Sequence, residues 1–349
     1  MNFEVDAYPA SRVHNSQPHG IGRVVALGDL WAWNNLGRNV VFAGEDFRPR
    51  AVFDESVFSD DEPSQYDLDV HAILDVPSVG IVVTLNHLGM LRAFSSDAIR
   101  QPGPSRRVAP MWTRAFAPDV ERMVVVGDRL VGSRPREDGA PGLLVSERLS
   151  MHDASDPVET GVRLETLGMV TALAAVHDGT ADCLVVGSSG QVSLVPAIAE
   201  GLGQPWWTVD VEFQPRVVFW DGVRVWAAGC DRVTHEIDDY DWGALGGGGF
   251  AALDPADGRV VVRGRFSEDL AWGNGGVAVV YVPGALCGIG RRGELYTFDA
   301  DNGTALTTSA PLADASIGIA HAAAEGDQVL YGFNRGGYRL HAIRVGRTA

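Results

Sequence analysis

Phe250-Ala251-Ala252-Leu253-Asp254-Pro255-Ala256-Asp257-Gly258-Arg259-Val260-Val261-Val262 and Leu295-Tyr296-Thr297-Phe298-Asp299-Ala300-Asp301-Asn302-Gly303-Thr304-Ala305-Leu306 follow one plan. Each reads strand, Asp-x-x-x-Gly turn, strand, with Gly, Asp and Asn as the punctuating residues. Units of this kind return about every fifty residues with no helical pattern between them. Self-similarity at that spacing in an all-β chain predicts a propeller.

Working outward from these two copies, the chain divides into strand clusters at 19–53, 66–98, 111–150, 168–197, 206–266, 268–311 and 317–347. The expectation is a single all-β domain over residues 1–349, a seven-bladed β-propeller, with six and eight blades as the alternatives because the third and fifth clusters are irregular. Residues 2–6 alternate as a strand and would complete the last blade, closing the ring without an exposed edge. Residues 54–67 and 100–110 read as rim loops, and 195–201 as the one candidate helical turn. The tryptophans, among them Trp31, Trp33, Trp206, Trp207 and Trp242, are expected to wedge between blades, with some free on the rim to stack on a flat ligand.

Composition narrows the function classes. The 349 residues include 42 glycines and 46% apolar residues, enough for a large core with many tight turns. The net charge of −17 opposes a nucleic-acid backbone or an anionic membrane as partner. All 28 basic residues are Arg. The absence of Lys fits either codon drift or selection against an amine, and it excludes side-chain Schiff-base chemistry and a Walker-type phosphate loop. Cys183, Cys230 and Cys287 stand far apart without CxxC spacing, which predicts buried reduced thiols. The first residues show no secretory signal pattern and no apolar run reaches the ~20 residues of a membrane span, so a cytoplasmic location is expected.

The hairpins at Phe250 and Leu295 resemble the repeat of quinoprotein-type and YVTN-type propellers, in which an aromatic-x-x-Asp-x-x-x-Gly hairpin closes each blade. The resemblance covers about four units and concerns the fold. The docking Trp usual in quinoprotein blades is replaced here by Arg263 or Phe266 and by Thr308, which argues against a quinone cofactor. A second echo, Gln17-Pro18-His19-Gly20-Ile21 with Gly28-Asp29-Leu30-Trp31, is similar to the blade opening of lactonase and streptogramin-lyase propellers.

In a propeller the innermost strands line the central shaft. Aligning their apolar runs places His71, Thr171 and His321 at one level, with Arg216 nearby by the same count and Arg122 and either Asp269 or Trp272 in looser alignment. His19 joins this set through the Pro-x-Gly-Ile echo. Guanidiniums and imidazoles converging on one funnel can grip a carboxylate or phosphate, and His71 and His321 can act as acid and base. The alternative is that these groups bind ordered shaft water.

Other motifs weigh less. Residues 234–242 form the densest acidic stretch, where a divalent cation is the alternative to solvated surface; otherwise no cofactor or metal is expected. His152-Asp153 and His177-Asp178 read as turns. Gly187-Ser188-Ser189-Gly190 is a hairpin turn, since strand and not helix follows. Two functions are carried forward: a non-catalytic propeller binding a small anionic ligand or a protein partner at its funnel or rim, and a cytoplasmic lyase, hydrolase or cyclase of secondary metabolism.

Overall fold

The structure, a computed structural model, describes residues 2–9, 21–35, 39–54, 70–86, 88–116, 120, 122–134, 143–150, 158–159, 170–177, 181–198, 201–231, 248–266, 270, 272–273, 276–290, 293–309, 320–333 and 339–346. His19, the acidic stretch 234–242, His152, Asp153, Asp178 and Asp269 lie outside the described residues, as do the side chains of His71, Trp272 and His321.

The strands form antiparallel sheets that follow one another along the chain. The first sheet holds Ile21–Ala26, Trp31–Asn35, Asn39–Ala43 and Pro49–Asp54. The second holds Val70–Val76, Ile81–Asn86, Met90–Ser95 and Trp112–Ala115. The third holds Arg122–Val126, Arg129–Arg134, Leu143–Arg148 and Val158–Glu159. The fourth holds Ala172–His177, Asp182–Ser188 and Gln191–Ile198, whose outer edge is shared by Gly201–Leu202 and Trp207–Asp210.

The fifth sheet holds Gln214–Trp220, Val225–Cys230, Gly248–Leu253 and Val260–Phe266, and the sixth Val279–Val282, Ala285–Ile289, Leu295–Asp299 and Ala305–Thr308. The last holds Ala320–Glu325, Gln328–Phe333 and Arg339–Gly346. The N-terminal strand Asn2–Pro9 completes it, pairing antiparallel with Arg339–Gly346 from Asn2 opposite Gly346 to Pro9 opposite Arg339. A two-stranded ribbon, Trp272–Gly273 with Gly276–Val277, precedes the sixth sheet.

Apolar clusters fill the seam between each sheet and the next. Phe53 and Phe94 meet edge-on between the first and second sheets at 4.8 Å. Trp207, Phe213 and Val218 join the fourth to the fifth, and Trp226, Phe250 and Phe298 join the fifth to the sixth. Trp31 and Trp33 pack with Leu330 and Leu340, which ties the last sheet back to the first. This is the propeller arrangement. It explains why strands such as Ile81–Asn86 and Val225–Cys230 are apolar on both faces, with no alternation: neighbouring sheets cover both sides, and every residue is buried. Outer strands such as Val260–Phe266 alternate between buried and exposed residues.

The two opening hairpins share their construction. Asp254 Oδ1 accepts from the Ala256 amide at 3.0 Å, and Asp299 Oδ1 accepts from the Asp301 amide at 2.8 Å. The Gly258 and Gly303 amides donate to the carbonyl oxygens of those same aspartates, each at 2.8 Å. Their φ values of +74° and +75° are ones that a residue with Cβ adopts at a cost.

Some expectations are corrected. Trp112–Ala115 belongs to the second sheet, pairing with Met90–Ser95, and not to the third cluster at 111–150. Trp207–Asp210 pairs with Gln191–Ile198 of the fourth sheet, not with the fifth cluster at 206–266. In both cases the outermost strand returns after a connection, and its partner is set by an open edge that local pattern does not reveal. The stretch 100–110 is not simply a loop: Arg106–Arg107 pairs in parallel with Pro49–Asp54, beside a helical turn at Ser96–Arg100. Of the expected turn at 195–201, the described residues are strand: Val195 and Pro196 pair with Leu184 and Cys183, and Ile198 pairs with Gly201. Trp31, Trp33 and Trp207 are buried in seams, whereas Trp206 is 53% exposed; Trp242 lies outside the described residues. The three cysteines are free and buried.

Candidate functional site

Where the innermost strands begin, the expected mouth of the shaft, the structure joins Arg122 to Thr171 and Thr171 to Pro215, the neighbour of Arg216. Arg122 opens the innermost strand of the third sheet, and its Nε donates to the Thr171 carbonyl oxygen at 2.9 Å. Thr171, 1% exposed, donates its hydroxyl hydrogen to the Pro215 carbonyl oxygen at 2.5 Å and its amide to the Gly187 carbonyl at 2.9 Å. Arg216 follows Pro215, and its Nη2 donates to Gln214 Oε1 at 2.9 Å. Hydrogen bonds therefore link the third, fourth and fifth sheets through buried Thr171, with Arg122 as one donor to it and Pro215, the residue before Arg216, as its acceptor.

Backbone irregularity marks two of the expected positions. The pairing register shifts between Pro215 and Val217, so Arg216 occupies the extra position of a bulge. The same shift occurs between Val70 and Ala72, which puts His71 at the corresponding bulge of the second sheet. Bulges re-aim a side chain out of the regular alternation. His321 stands opposite Gly332 near the start of the last sheet's innermost strand. The ribbon carrying Trp272 lies against that strand on one side and against Gln214–Trp220 and Val225–Cys230 on the other. The ribbon is thus placed, at backbone level, between the strands of His321 and Arg216, with Trp272 on the His321 side. Gln214, Pro215 and the ribbon were not singled out from sequence. A carbonyl acceptor across a seam carries no residue-type signal.

Away from the mouth, polar clusters serve as struts. Arg100 Nε donates to Asp29 Oδ1 and its Nη2 to Asp75 Oδ2, each at 2.8 Å, with a further bond to the Leu27 carbonyl at 2.9 Å. Burial works against the Arg100 charge. The hydrogen bonds and negative charges of Asp29 and Asp75 outweigh it and raise the pKa above the ordinary arginine value. Asp221, its side chain 1% exposed, accepts from the Val223 and Arg224 amides and from Trp226 Nε1 at 2.7 Å. His177 pairs with Asp182 at 2.8 Å inside its own hairpin, both largely exposed, where an ion pair contributes little. Among the described residues no three His, Cys, Asp or Glu side chains converge as metal ligands.

No protein-family model matches the chain, and no curated protein matches it. Among solved structures it is similar to the WD40 domain of Pan2 from Neurospora crassa, at a TM-score of 0.63 and 10% identity over 99% of this chain and 96% of that one. In all, 1408 solved chains match, so the likeness selects a widely shared architecture and no particular activity. The sheet arrangement and the full-length structural match lead to one conclusion: the chain is a β-propeller.

Proposed function

We propose that the chain is a non-catalytic propeller that binds a small anionic ligand at the mouth of its shaft. One observation supports this reading: Arg122 donates to the carbonyl of buried Thr171, whose hydroxyl bonds Pro215, the residue before Arg216, in a chain of net charge −17. Guanidiniums have a fork geometry suited to carboxylate and phosphate. His71, His321 and Trp272 are assigned to the same mouth from the strands that carry them. The alternative ligand at this end is a protein partner docked on the rim, since propellers host both kinds of binding.

The ring is read as seven-bladed, a reading supported among the described residues by the sheets of four or five strands and by a seam cluster between each successive pair. The quinoprotein and YVTN resemblance supports hairpin geometry, not a cofactor. A cytoplasmic location fits three buried free cysteines. No helix among the described residues is long and apolar enough to cross a membrane. The lyase, hydrolase or cyclase reading rests on His71 and His321 as acid and base, and no observation favours it.

Isothermal titration with inorganic phosphate and with citrate tests the proposal. Binding should weaken at least tenfold in Arg122→Gln and in Arg216→Gln while the circular dichroism spectrum is unchanged. Failure of both anions to bind the wild type, or equal binding by the variants, overturns it.

A further inference from the structure

A groove separate from the shaft mouth opens between the fourth and fifth sheets, and its walls carry opposite charges. It encloses about 320 Å³, at the low end for a small-molecule site. The segment from Asp210 to Phe213, leaving the fourth sheet, forms one wall; the two outer strands of the fifth sheet form the floor and the other wall.

Register creates the space. Gly249 pairs with Arg265 and Ala251 with Arg263, and residues paired across antiparallel strands share a face. That face therefore bears glycine and alanine on Gly248–Leu253 and two arginines on Val260–Phe266. The small residues let Phe213 and Val211 pack down on this face, so Gly249 and Ala251 are buried beneath the groove. Buried Phe213 closes one end: a Cβ built on Gly249 would lie 2.7 Å from its ring.

The facing wall alternates in the same way, with Val211 and Phe213 buried and Asp210 and Glu212 exposed. Asp210 accepts from Gln191 Nε2 at 2.9 Å. Glu212 Oε1 stands 3.7 Å from Arg263 Nη1 across the gap, with side chains 80% and 72% exposed, and Arg265 pairs with Asp231. Pairs this exposed are worth about 0–1 kcal/mol and exchange readily for a ligand that offers both charges.

We propose that this groove binds a zwitterionic ligand with a flat apolar side chain, the chemical class of the aromatic α-amino acids. The ligand carboxylate is taken by Arg263 and Arg265, its ammonium by Glu212, and its ring lies against Phe213 and Val260 of the groove lining. An anion alone leaves Glu212 opposite an apolar edge, and a cation alone leaves the arginine wall unused.

The test is titration of the full chain, by calorimetry or by chemical-shift perturbation, with L-phenylalanine, 3-phenylpropionate and phenethylamine. L-Phenylalanine should bind about tenfold more tightly than either singly charged analogue. Glu212→Gln should erase its advantage over phenylpropionate, and Arg263→Gln its advantage over phenethylamine. Both positions are exposed, so the variants keep the fold, and circular dichroism verifies this. Arg122→Gln, at the shaft mouth, should leave this binding unchanged, which separates the groove from the mouth. The proposal fails if L-phenylalanine shows no saturable binding, if it binds no better than the analogues, if both groove variants match the wild type, or if Arg122→Gln abolishes binding.

Discussion

Thr171 and Pro215, from consecutive sheets, are joined by a 2.5 Å hydrogen bond from the threonine hydroxyl to the proline carbonyl oxygen. Thr171 is 1% exposed and Pro215 is buried, so water has no easy access to the acceptor. Thr171→Val keeps the shape and removes the donor. It should lower unfolding free energy by about 1–3 kcal/mol in urea, the cost of stranding a buried carbonyl, whereas Thr171→Ser should recover most of the loss.

Arg100 bridges the first and second sheets through Asp29 and Asp75 and is about one-quarter exposed. Arg100→Met retains the aliphatic stem and deletes the charge, leaving Asp75, 17% exposed, without its 2.8 Å partner. A loss of about 2 kcal/mol is expected, smaller than for a fully buried pair because solvent screens the site. A double-mutant cycle with Asp75→Asn should show coupling well above that of the exposed His177–Asp182 pair.

Gly303 and Gly326 both have positive φ, +75° and +56°, yet their surroundings differ. A Cβ on Gly303 would meet the Arg263 carbonyl oxygen at 2.5 Å, whereas one on Gly326 would meet nothing within 4 Å. Gly326→Ala should therefore cost about 1 kcal/mol for backbone strain alone. Gly303→Ala should cost clearly more, since backbone of the fifth sheet has to shift; thermal melts of the two variants compare them directly.

Stability should fall at alkaline pH. Burial pushes the Cys287 thiol up to about 12 from an ordinary 9.0. Burial, and then the Glu294 carboxylate, raise the Tyr331 phenol as well. In both cases the unfolded chain loses its proton first. The contribution of these groups is complete below about pH 9 and is lost as pH rises toward 12, at about 1.4 kcal/mol per pH unit for each titrating group. Tyr331→Phe and Cys287→Ala should each flatten that decline in denaturant melts, although each lowers stability at pH 7.

How much was legible follows from where each determinant lies. Asp254 and Asp299 announce their turns because the side-chain acceptor and the positive-φ glycine are within a few residues of one another. Trp112–Ala115 and Trp207–Asp210 were assigned to the wrong cluster because an outer strand chooses its partner through the register of an edge distant in sequence. Arg122 and Thr171 are joined by a hydrogen bond across a seam, and Arg216 enters only as the neighbour of Pro215, because innermost strands of successive sheets pack side by side. The groove was not readable. It exists only because register sets Gly249 and Ala251 beside Arg265 and Arg263, and because Phe213 arrives from another sheet.

Everything at the shaft mouth depends on the ring being closed by the N-terminal strand, with Glu4 opposite Arg344. The direct measurement is oxidation of a Glu4→Cys, Arg344→Cys double variant, a position 56% exposed at Arg344, followed by non-reducing electrophoresis and a thermal melt. Paired strands bring such Cα atoms within disulfide reach, so an intramolecular bond and a raised, dithiothreitol-sensitive melting temperature are expected. Free thiols under oxidising conditions, or a bond that forms only between molecules, would contradict the closed ring and the site built on it.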